Sequence, residues 1–123
     1  MKNYDVVIPI IHGKNGEDGK LQGMMDLFNV KYVGSNLGAS YICIDKLRTK
    51  QVLNNYDIPQ VEYQVYEQGE KINIDFPVII KPNSEGSSIG INLAKNQIEL
   101  ENAIDIASIY DDTILIEKYI IIN

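Results

Sequence analysis

The feature that most constrains this fold is an apolar, strand-like run that ends in a glycine-rich loop. Residues 6–11 are continuous, apolar and rich in β-branched side chains, which is typical of a strand buried on both faces of a parallel sheet. Residues 12–19 contain three glycines, and the apolar residues after them recur at helical spacing. The order of strand, glycine loop and helix predicts an α/β fold with a ligand site at the strand's carboxyl end.

The pattern changes near Asp45. Before it we expect a second short strand at residues 30–34 and a helix at 39–44. After it, Asp45 is placed to cap a helix over residues 46–56, and Asn96 with Glu99 resembles a capping box that opens another helix. Strands are predicted at residues 61–66, 78–81, 89–93 and 113–116, with the first two antiparallel and the middle two forming a hairpin. We therefore expect a domain boundary between residues 1–44 and 45–123.

Charge, hydropathy and cysteine content restrict the kinds of partner that the chain can bind and the cellular compartment that we expect for it. The chain has 17 acidic and 11 basic residues and a net charge of −6, which argues against nucleic acid as the main partner. No apolar run approaches the roughly 20 residues of a membrane helix, and residues 1–5 lack the order of a signal peptide. We therefore expect no membrane partner and a cytoplasmic protein. The single cysteine, Cys43, excludes a disulfide and a cysteine-based metal site, and we expect it to be a packed core thiol.

The glycine loop at residues 12–19 does not match the common phosphate or calcium motifs. Five residues, not four, separate Gly13 from Gly19, and Leu21 stands where a Walker loop has Ser or Thr. The alternating Asp and Asn ligands of an EF-hand are absent as well. A solvated connection is therefore an open alternative to a ligand loop.

Two later features could bind a nucleotide. Lys81 ends a buried strand, and the loop at residues 85–90 combines glycine with Ser87 and Ser88, whose hydroxyl and N–H groups could form an anion-binding nest. A simple turn is the alternative. Residues 117–120 end the last strand, where backbone groups beside an acid and a base could hold adenine or ribose. An ordinary surface salt pair is the alternative there.

Taken together, seven blocks of residues closely resemble the D-alanine–D-alanine ligases of the ATP-grasp superfamily, in the same order and over nearly the whole chain. These blocks are His12-Gly13 with Gly16-Glu17-Asp18-Gly19, Leu21-Gln22-Gly23, Tyr32-Val33-Gly34-Ser35, Asp45-Lys46 with Thr49-Lys50, Ile80-Lys81-Pro82, Glu85-Gly86-Ser87-Ser88-Ile89-Gly90 and Leu115-Ile116-Glu117-Lys118-Tyr119. The resemblance implies an α/β fold in which the end of a parallel-sheet N-terminal, substrate-binding domain precedes the first, mostly antiparallel α+β half of an ATP-grasp domain.

The resemblance also implies a reaction. Such ligases use ATP and Mg²⁺ to phosphorylate the carboxylate of one D-alanine, and the amine of a second D-alanine then displaces phosphate to give a peptidoglycan precursor. The implied small-molecule partners are D-alanine and ATP. A homodimer or a self-associating segment is expected for the chain itself.

By resemblance, the site residues fall into three groups. The nucleotide would be held by two phosphate-binding lysines, the loop that covers them and a strand end that binds ribose and adenine, partly through backbone. In that order, these residues are Lys46 and Lys81; Glu85, Gly86, Ser87 and Ser88 of the loop at residues 85–90; and Glu117, Lys118, Tyr119 and Ile120. Ser87 would also help to fix an acid–base network. His12 and Glu17 would lie near the first D-alanine and the transferring phosphoryl group.

The chain departs from the family pattern at several places, and these departures limit the activity that the resemblance implies. The family's initial strand, glycine turn and catalytic glutamate are not matched, nor is the second ATP-grasp half with its magnesium ligands and arginine. Arg48 lies on a helix near Asp45 and is not equated with that arginine, and residues 120–123 read Ile-Ile-Ile-Asn where the family turns. We therefore expect a ligase segment that is inactive alone, with its magnesium ligands outside this chain. The alternatives are a D-alanine–D-serine or D-alanine–D-lactate ligase, or a truncated, non-catalytic nucleotide-binding or interaction module.

Overall fold

A computed structural model describes residues 4–121 of the chain. The signal-peptide assessment at residues 1–3 and Ile122 of the terminal isoleucine run lie outside the described residues. The described part contains the following helices and strands in chain order: α1 (Lys20–Leu27), α2 (Leu37–Ile44), α3 (Lys46–Asn54), β1 (Tyr63–Val65), β2 (Val78–Pro82), β3 (Asn92–Ala94), α4 (Gln97–Ser108) and β4 (Ile114–Lys118). No helix among them is long and apolar enough to span a bilayer.

The four strands form one antiparallel sheet in the order β1-β4-β2-β3. Ile116 of β4 lies opposite Gln64 on one side and Ile80 on the other. The predicted antiparallel pairing of the strands at 61–66 and 78–81 is wrong, because β4 lies between them and runs antiparallel to both. The buried run of β4 takes the central position, where both of its edges are paired. The predicted hairpin of β2 and β3 is confirmed.

The two faces of this sheet differ in chemistry. Alternate residues Val78, Ile80 and Ile116 point into an apolar core shared with α4. That helix is capped as predicted, with Asn96 Oδ1 accepting from the Glu99 N–H at 3.0 Å. Its buried face consists of the four residues predicted from helical spacing, Leu100, Ala103, Ile104 and Ala107. The opposite face carries Lys81 and Glu117, so side-chain alternation in the strands separates the core from the polar site.

The predicted buried strand at residues 6–11 is wrong. Val7 forms a single parallel bridge with Tyr32, and the segment is otherwise irregular, with Ile10 81% exposed. The strand predicted at residues 30–34 is likewise reduced to this bridge. β-branched residues favour extended backbone, but a strand also needs neighbours, and within residues 4–121 this segment has one partner at one position. The parallel sense of the bridge agrees with the predicted parallel character.

Cys43 is exposed, so the prediction of a packed core thiol is wrong. It lies on α2, which is apolar apart from the buried Ser40, and Leu37 and Tyr41 on the same helix are exposed too. A helix without a polar face cannot indicate which of its sides is covered. The described elements bury only part of it.

The helix predictions on either side of Asp45 are confirmed with shifted ends. α2 begins at Leu37, two residues before the predicted start, and α3 ends at Asn54. Asp45 caps α3 through a hydrogen bond from the Arg48 N–H to Oδ1 of 2.9 Å. This cap places Lys46 in the first turn of α3.

Ile80→Ala should lower the free energy of unfolding by about 2–5 kcal/mol, because it opens a cavity in the core between β2 and α4. Ile80 is fully buried, whereas Ile98 on α4 is 73% exposed, so Ile98→Ala is the matched control and should change stability by less than about 0.5 kcal/mol. Urea denaturation followed by circular dichroism measures both. Equal effects of the two variants would contradict this assignment of the core.

Candidate functional site

A cleft of about 670 Å³ forms where the glycine loop, α2, the start of α3 and the loop after β2 meet. It brings together residues that are as much as 78 positions apart in sequence, Pro9 and Ser87. Six of the predicted site residues line it: His12, Glu17, Lys46, Glu85, Gly86 and Ser87. The structure thus places the two loops singled out by sequence on opposite sides of one space.

Glu17 organises the first wall of the cleft. Its Oε2 accepts a hydrogen bond from the Gly13 N–H, and its Oε1 lies 3.9 Å from Nδ1 of His12. The opposite loop approaches the same carboxylate, since an atom in the Cβ position of residue 86 would lie 3.3 Å from Glu17 Oε2. Gly86 therefore allows a closeness between the loops that a larger residue would hinder.

Lys46 begins the second wall. Its Nζ donates to the carbonyl oxygens of Asn83 at 3.1 Å and of Glu85 at 2.6 Å. Burial, and after it the nearby Lys81 ammonium, lowers the pKa of Lys46 against the opposing effect of neighbouring carboxylates. The ammonium thus lies beside the loop and in the field of a second cation. An anion bound here would relieve that repulsion.

Asn83 fixes the base of the loop to α3, a role that was not predicted from the sequence. Its Oδ1 accepts from the Leu47 N–H at 2.8 Å, its carbonyl accepts from the Lys46 N–H at 3.1 Å, and its own N–H donates to the Thr113 carbonyl. Asn83 is buried. Capping is usually found from residues adjacent in sequence, whereas these two partners are 36 positions apart.

Asp111 supports the same loop from the other side. Its Oδ2 accepts from the Ser84 N–H at 2.7 Å and its Oδ1 from the Thr113 N–H at 2.9 Å. It also lines a second cleft, of about 640 Å³, together with Tyr41 and Tyr110. The loop is therefore held at its base by buried or partly buried acceptors, and its tip is left exposed.

The tip of this loop has a left-handed backbone. Ser87 and Ser88 have φ angles of 51° and 62°, and the Ile89 N–H donates to the Gly86 carbonyl at 3.1 Å. Such a conformation is strained for serine and is found often at functional loops. Gly90, at φ 71°, has no alternative, because a Cβ atom there would lie 2.7 Å from Pro82 Cγ. The loop is thus a defined turn with both hydroxyl-bearing residues exposed.

The most buried charge of the region is Glu117, on the polar face of the sheet. Each carboxylate oxygen has its own cation: Oε2 accepts from Lys81 Nζ, and Oε1 lies 3.0 Å from Lys50 Nζ. Burial by itself would raise the pKa of Glu117, but the hydrogen bonds from Lys81 and Lys50 outweigh it and leave the pKa below its usual value. Lys50 Nζ also lies 4.6 Å from the centre of the Tyr63 ring.

This cluster differs from the sequence-based picture of separate contacts. Lys81 was expected to present a free ammonium to phosphate and Glu117 to meet ribose, and the structure adds a direct pairing of the two side chains. Lys50 was given no role, although it lies four residues after Lys46. That spacing places both lysines on one face of α3 and would have been the signal.

The strand end after Glu117 is only partly available for a ligand. The Tyr119 N–H donates to the Pro77 carbonyl at 3.1 Å, so this N–H is already hydrogen-bonded within the sheet. Lys118 donates through Nζ to the Asp75 carbonyl at 2.8 Å. Lys118, Tyr119 and Ile120 do not line the cleft described above.

The site residues do not form a metal centre. Both oxygens of Glu117 are taken by ammonium groups, and an oxygen of Glu17 accepts a backbone N–H. Over residues 4–121, no three or more His, Cys, Asp or Glu side chains group to hold a metal ion. We therefore assign no step to a metal at these residues.

Comparison with protein families and curated proteins gives one consistent likeness. A family model described as "D-ala D-ala ligase N-terminus" matches residues 1–35, and one described as "D-ala D-ala ligase C-terminus" matches residues 51–123. The D-alanine–D-alanine ligases of Streptococcus thermophilus and of Streptococcus pyogenes serotype M4 are 42% and 41% identical over 125 residues. The matches cover 94% of this chain, which spans 36% of the length of these relatives.

Solved structures agree. The D-alanine–D-alanine ligase of Helicobacter pylori superimposes with a TM-score of 0.87 at 33% identity, over 94% of this chain and 37% of that one. The Bacillus anthracis ligase complexed with ATP gives 0.82 at 32% identity, over 98% and 42%. The VanG D-Ala:D-Ser ligase of Enterococcus faecalis gives 0.85 at 33% identity, over 95% and 36%. These likenesses confirm the predicted fold class.

The lowered pKa of Glu117 predicts a specific pH dependence of stability. Between the folded and unfolded pKa values of this carboxyl group, the unfolded state binds more protons than the folded state. The carboxylate's contribution to the free energy of unfolding is therefore complete above the unfolded value of about 4.3, and it is lost as the pH falls through the folded value. The free energy of unfolding of the wild type, minus that of Glu117→Gln, should therefore be constant above about pH 6 and shrink toward pH 3.

Chemical denaturation at several pH values measures this difference. Glu101→Gln is the matched control, since Glu101 is exposed on α4. A difference that stays constant or grows on acidification would contradict the ion-pair cluster.

Proposed function

Because the chain belongs to the D-alanine–D-alanine ligase family, we propose that it forms the nucleotide-binding part of an ATP-dependent ligase for D-alanine. In this reaction a D-alanine carboxylate oxygen attacks the γ-phosphorus of ATP and releases ADP. The amine of a second molecule then attacks the acyl carbon and releases phosphate. The rest of the site would come from the remaining length of such ligases, of which this chain spans 36% in its relatives.

The observation that carries the proposal is a pair of neighbouring ammonium groups, one on the loop that follows β2 and one at the end of β2 itself. Lys46 Nζ donates to two carbonyl oxygens of that loop, and Lys81 lies close enough to lower the pKa of Lys46. Triphosphate is the ligand chemistry that suits a pair of ammonium groups beside exposed N–H and hydroxyl donors. The residues present therefore fit ATP. The similarity of this fold to that of the Bacillus anthracis ligase complexed with ATP supports this proposal.

The opposite wall of the cleft supports a place for the first amino acid. His12 and Glu17 face Gly86 across the space where the γ-phosphoryl group would lie over Lys46. Glu17 accepts a hydrogen bond from the Gly13 N–H of its own loop and lies 3.9 Å from His12 Nδ1. Catalysis would come mainly from position and charge, since phosphoryl transfer offers the protein little covalent chemistry.

The remaining assignments follow the same proposal. Residues 85–90 would cover the phosphates, with Ser87 in an acid–base network. Glu117, the Tyr119 carbonyl and Ile120 would hold ribose and adenine, with Lys118 beside them. Residues 1–44 and 45–123 would act as parts of two domains, and a cytoplasmic location is part of the proposal. Mg²⁺ would be held by ligands outside this chain.

The second substrate is open within this family. The VanG D-Ala:D-Ser ligase matches the fold as well as the D-alanine enzymes do, with a TM-score of 0.85. D-Alanine–D-serine ligation is therefore the second candidate. Product analysis with D-alanine, D-serine and D-lactate as acceptors separates the three ligases.

A chimera tests the proposed function. This chain would replace the matched 125 residues of the Streptococcus thermophilus ligase, with folding checked by a cooperative thermal transition. We expect D-alanine-dependent release of ADP and phosphate from the chimera, and no measurable turnover from the 123-residue chain alone. A folded chimera that neither binds ATP nor releases ADP would overturn the proposal.

In the same chimera, Lys81→Ala and Ser87→Ala should differ in their effects on ATP affinity and turnover. Lys81→Ala removes a charge contact that strengthens in the transition state, so it should weaken ATP binding and cost about 2–4 kcal/mol in kcat/KM. Ser87→Ala should lower kcat and leave ATP affinity nearly unchanged, because its hydroxyl acts once the loop has closed.

Calorimetry and steady-state kinetics separate the two effects. Ser108→Ala is the control serine, since it lies at the end of α4 and lines the second cleft but not the one that holds Ser87. Equal losses of ATP affinity in the Lys81 and Ser87 variants would show that the loop is only a phosphate clamp.

A further inference from the structure

Resting on the proposed nucleotide function, we propose that Lys50 is a positioning residue. It keeps the carboxylate of Glu117 bonded when Lys81 moves from Glu117 to a nucleotide phosphate. Lys50 would thereby allow Lys81 to serve two partners in turn without leaving a buried charge unpaired.

The geometry of the cluster carries this inference. Glu117 is 7% exposed and divides its two oxygens between two cations that come from different elements. Lys50 reaches it from α3 and Lys81 from β2. The side chain of Lys50 is 11% exposed and that of Lys81 18%. Lys81 is thus the more solvent-exposed of the two cations.

The balance of charge around Glu117 distinguishes the roles of the two lysines. A carboxylate as buried as Glu117 is strongly unfavourable when its partner is removed. With Lys81 as its sole partner, transfer of that ammonium to phosphate would leave Glu117 unpaired and so would oppose ATP binding. The ion pair between Lys50 and Glu117, at 3.0 Å, removes this opposition.

Lys50 is also the better fixed of the two. Besides Glu117, its ammonium faces the Tyr63 ring at 4.6 Å, a contact worth more in a desolvated place than at the surface. Tyr63 lies directly opposite Glu117 in the pairing of β1 with β4, so both partners of Lys50 belong to the same stretch of sheet. By contrast, Lys81 is coupled electrostatically to Lys46, the other proposed phosphate ligand.

The test measures binding of ATP and of adenosine by the same chimera that tests the proposed function, in which this chain replaces the matched part of the Streptococcus thermophilus ligase. Lys50→Met should weaken ATP binding about tenfold and leave adenosine binding within about twofold, because only phosphate draws Lys81 away. Lys50→Arg should restore ATP affinity to within about threefold, since it keeps a charged donor. Lys95→Met is the control, an exposed lysine before α4.

A double-mutant cycle with Glu117→Gln completes the test. In that background Lys50→Met should cost no further ATP affinity, because no buried carboxylate then needs a partner. Melting temperatures check that each variant folds, and Lys50→Gln, which keeps a donor without charge, gives the same comparison if Lys50→Met is unstable.

Each contrary outcome has a distinct meaning. Failure of the wild type to bind ATP would overturn the nucleotide function itself and this inference with it. Normal ATP binding by Lys50→Met would overturn the inference alone. Parallel losses for ATP and adenosine would assign Lys50 a purely structural role, and a loss that persists in Glu117→Gln would place Lys50 on the phosphate.

Discussion

The polar half of this molecule depends on one buried carboxylate with two cations. Glu117 connects β4 to β2 through Lys81 and to α3 through Lys50. A buried ammonium is costly unless it is paired, and Glu117 is the charged partner of both lysines. The cluster therefore links three elements and holds two lysine ammonium groups on the polar face of the sheet.

The sheet makes this arrangement possible by separating its two chemistries. β4 is buried along most of its length, yet its alternate residues point to opposite faces. Ile114 and Ile116 join the core under α4, and Glu117 belongs to the other face. The same strand thus provides the stability and the charge. The loop after β2 is then fixed at its base by Asn83 and Asp111, so the proposed phosphate contacts start from a rigid frame.

Local patterns predicted local structure well. The caps at Asp45 and Asn96, the buried face of α4 and the glycine loop all follow from residues close together in sequence. The burial of residues 6–11 and of Cys43 was predicted wrongly, because burial depends on which neighbours are present. The pairing of Lys81 with Glu117 and the role of Asn83 join residues at least 36 positions apart, so short-range spacing could not reveal them.

The most direct test of this account is a crystal structure of the chain with a non-hydrolysable ATP analogue. Lys81 Nζ should lie on a phosphate oxygen, and Lys50 Nζ should stay near 3.0 Å from Glu117 Oε1. A complex in which Lys81 keeps its bond to Glu117 while Lys50 contacts the phosphates, or in which the analogue binds away from both lysines, would contradict it.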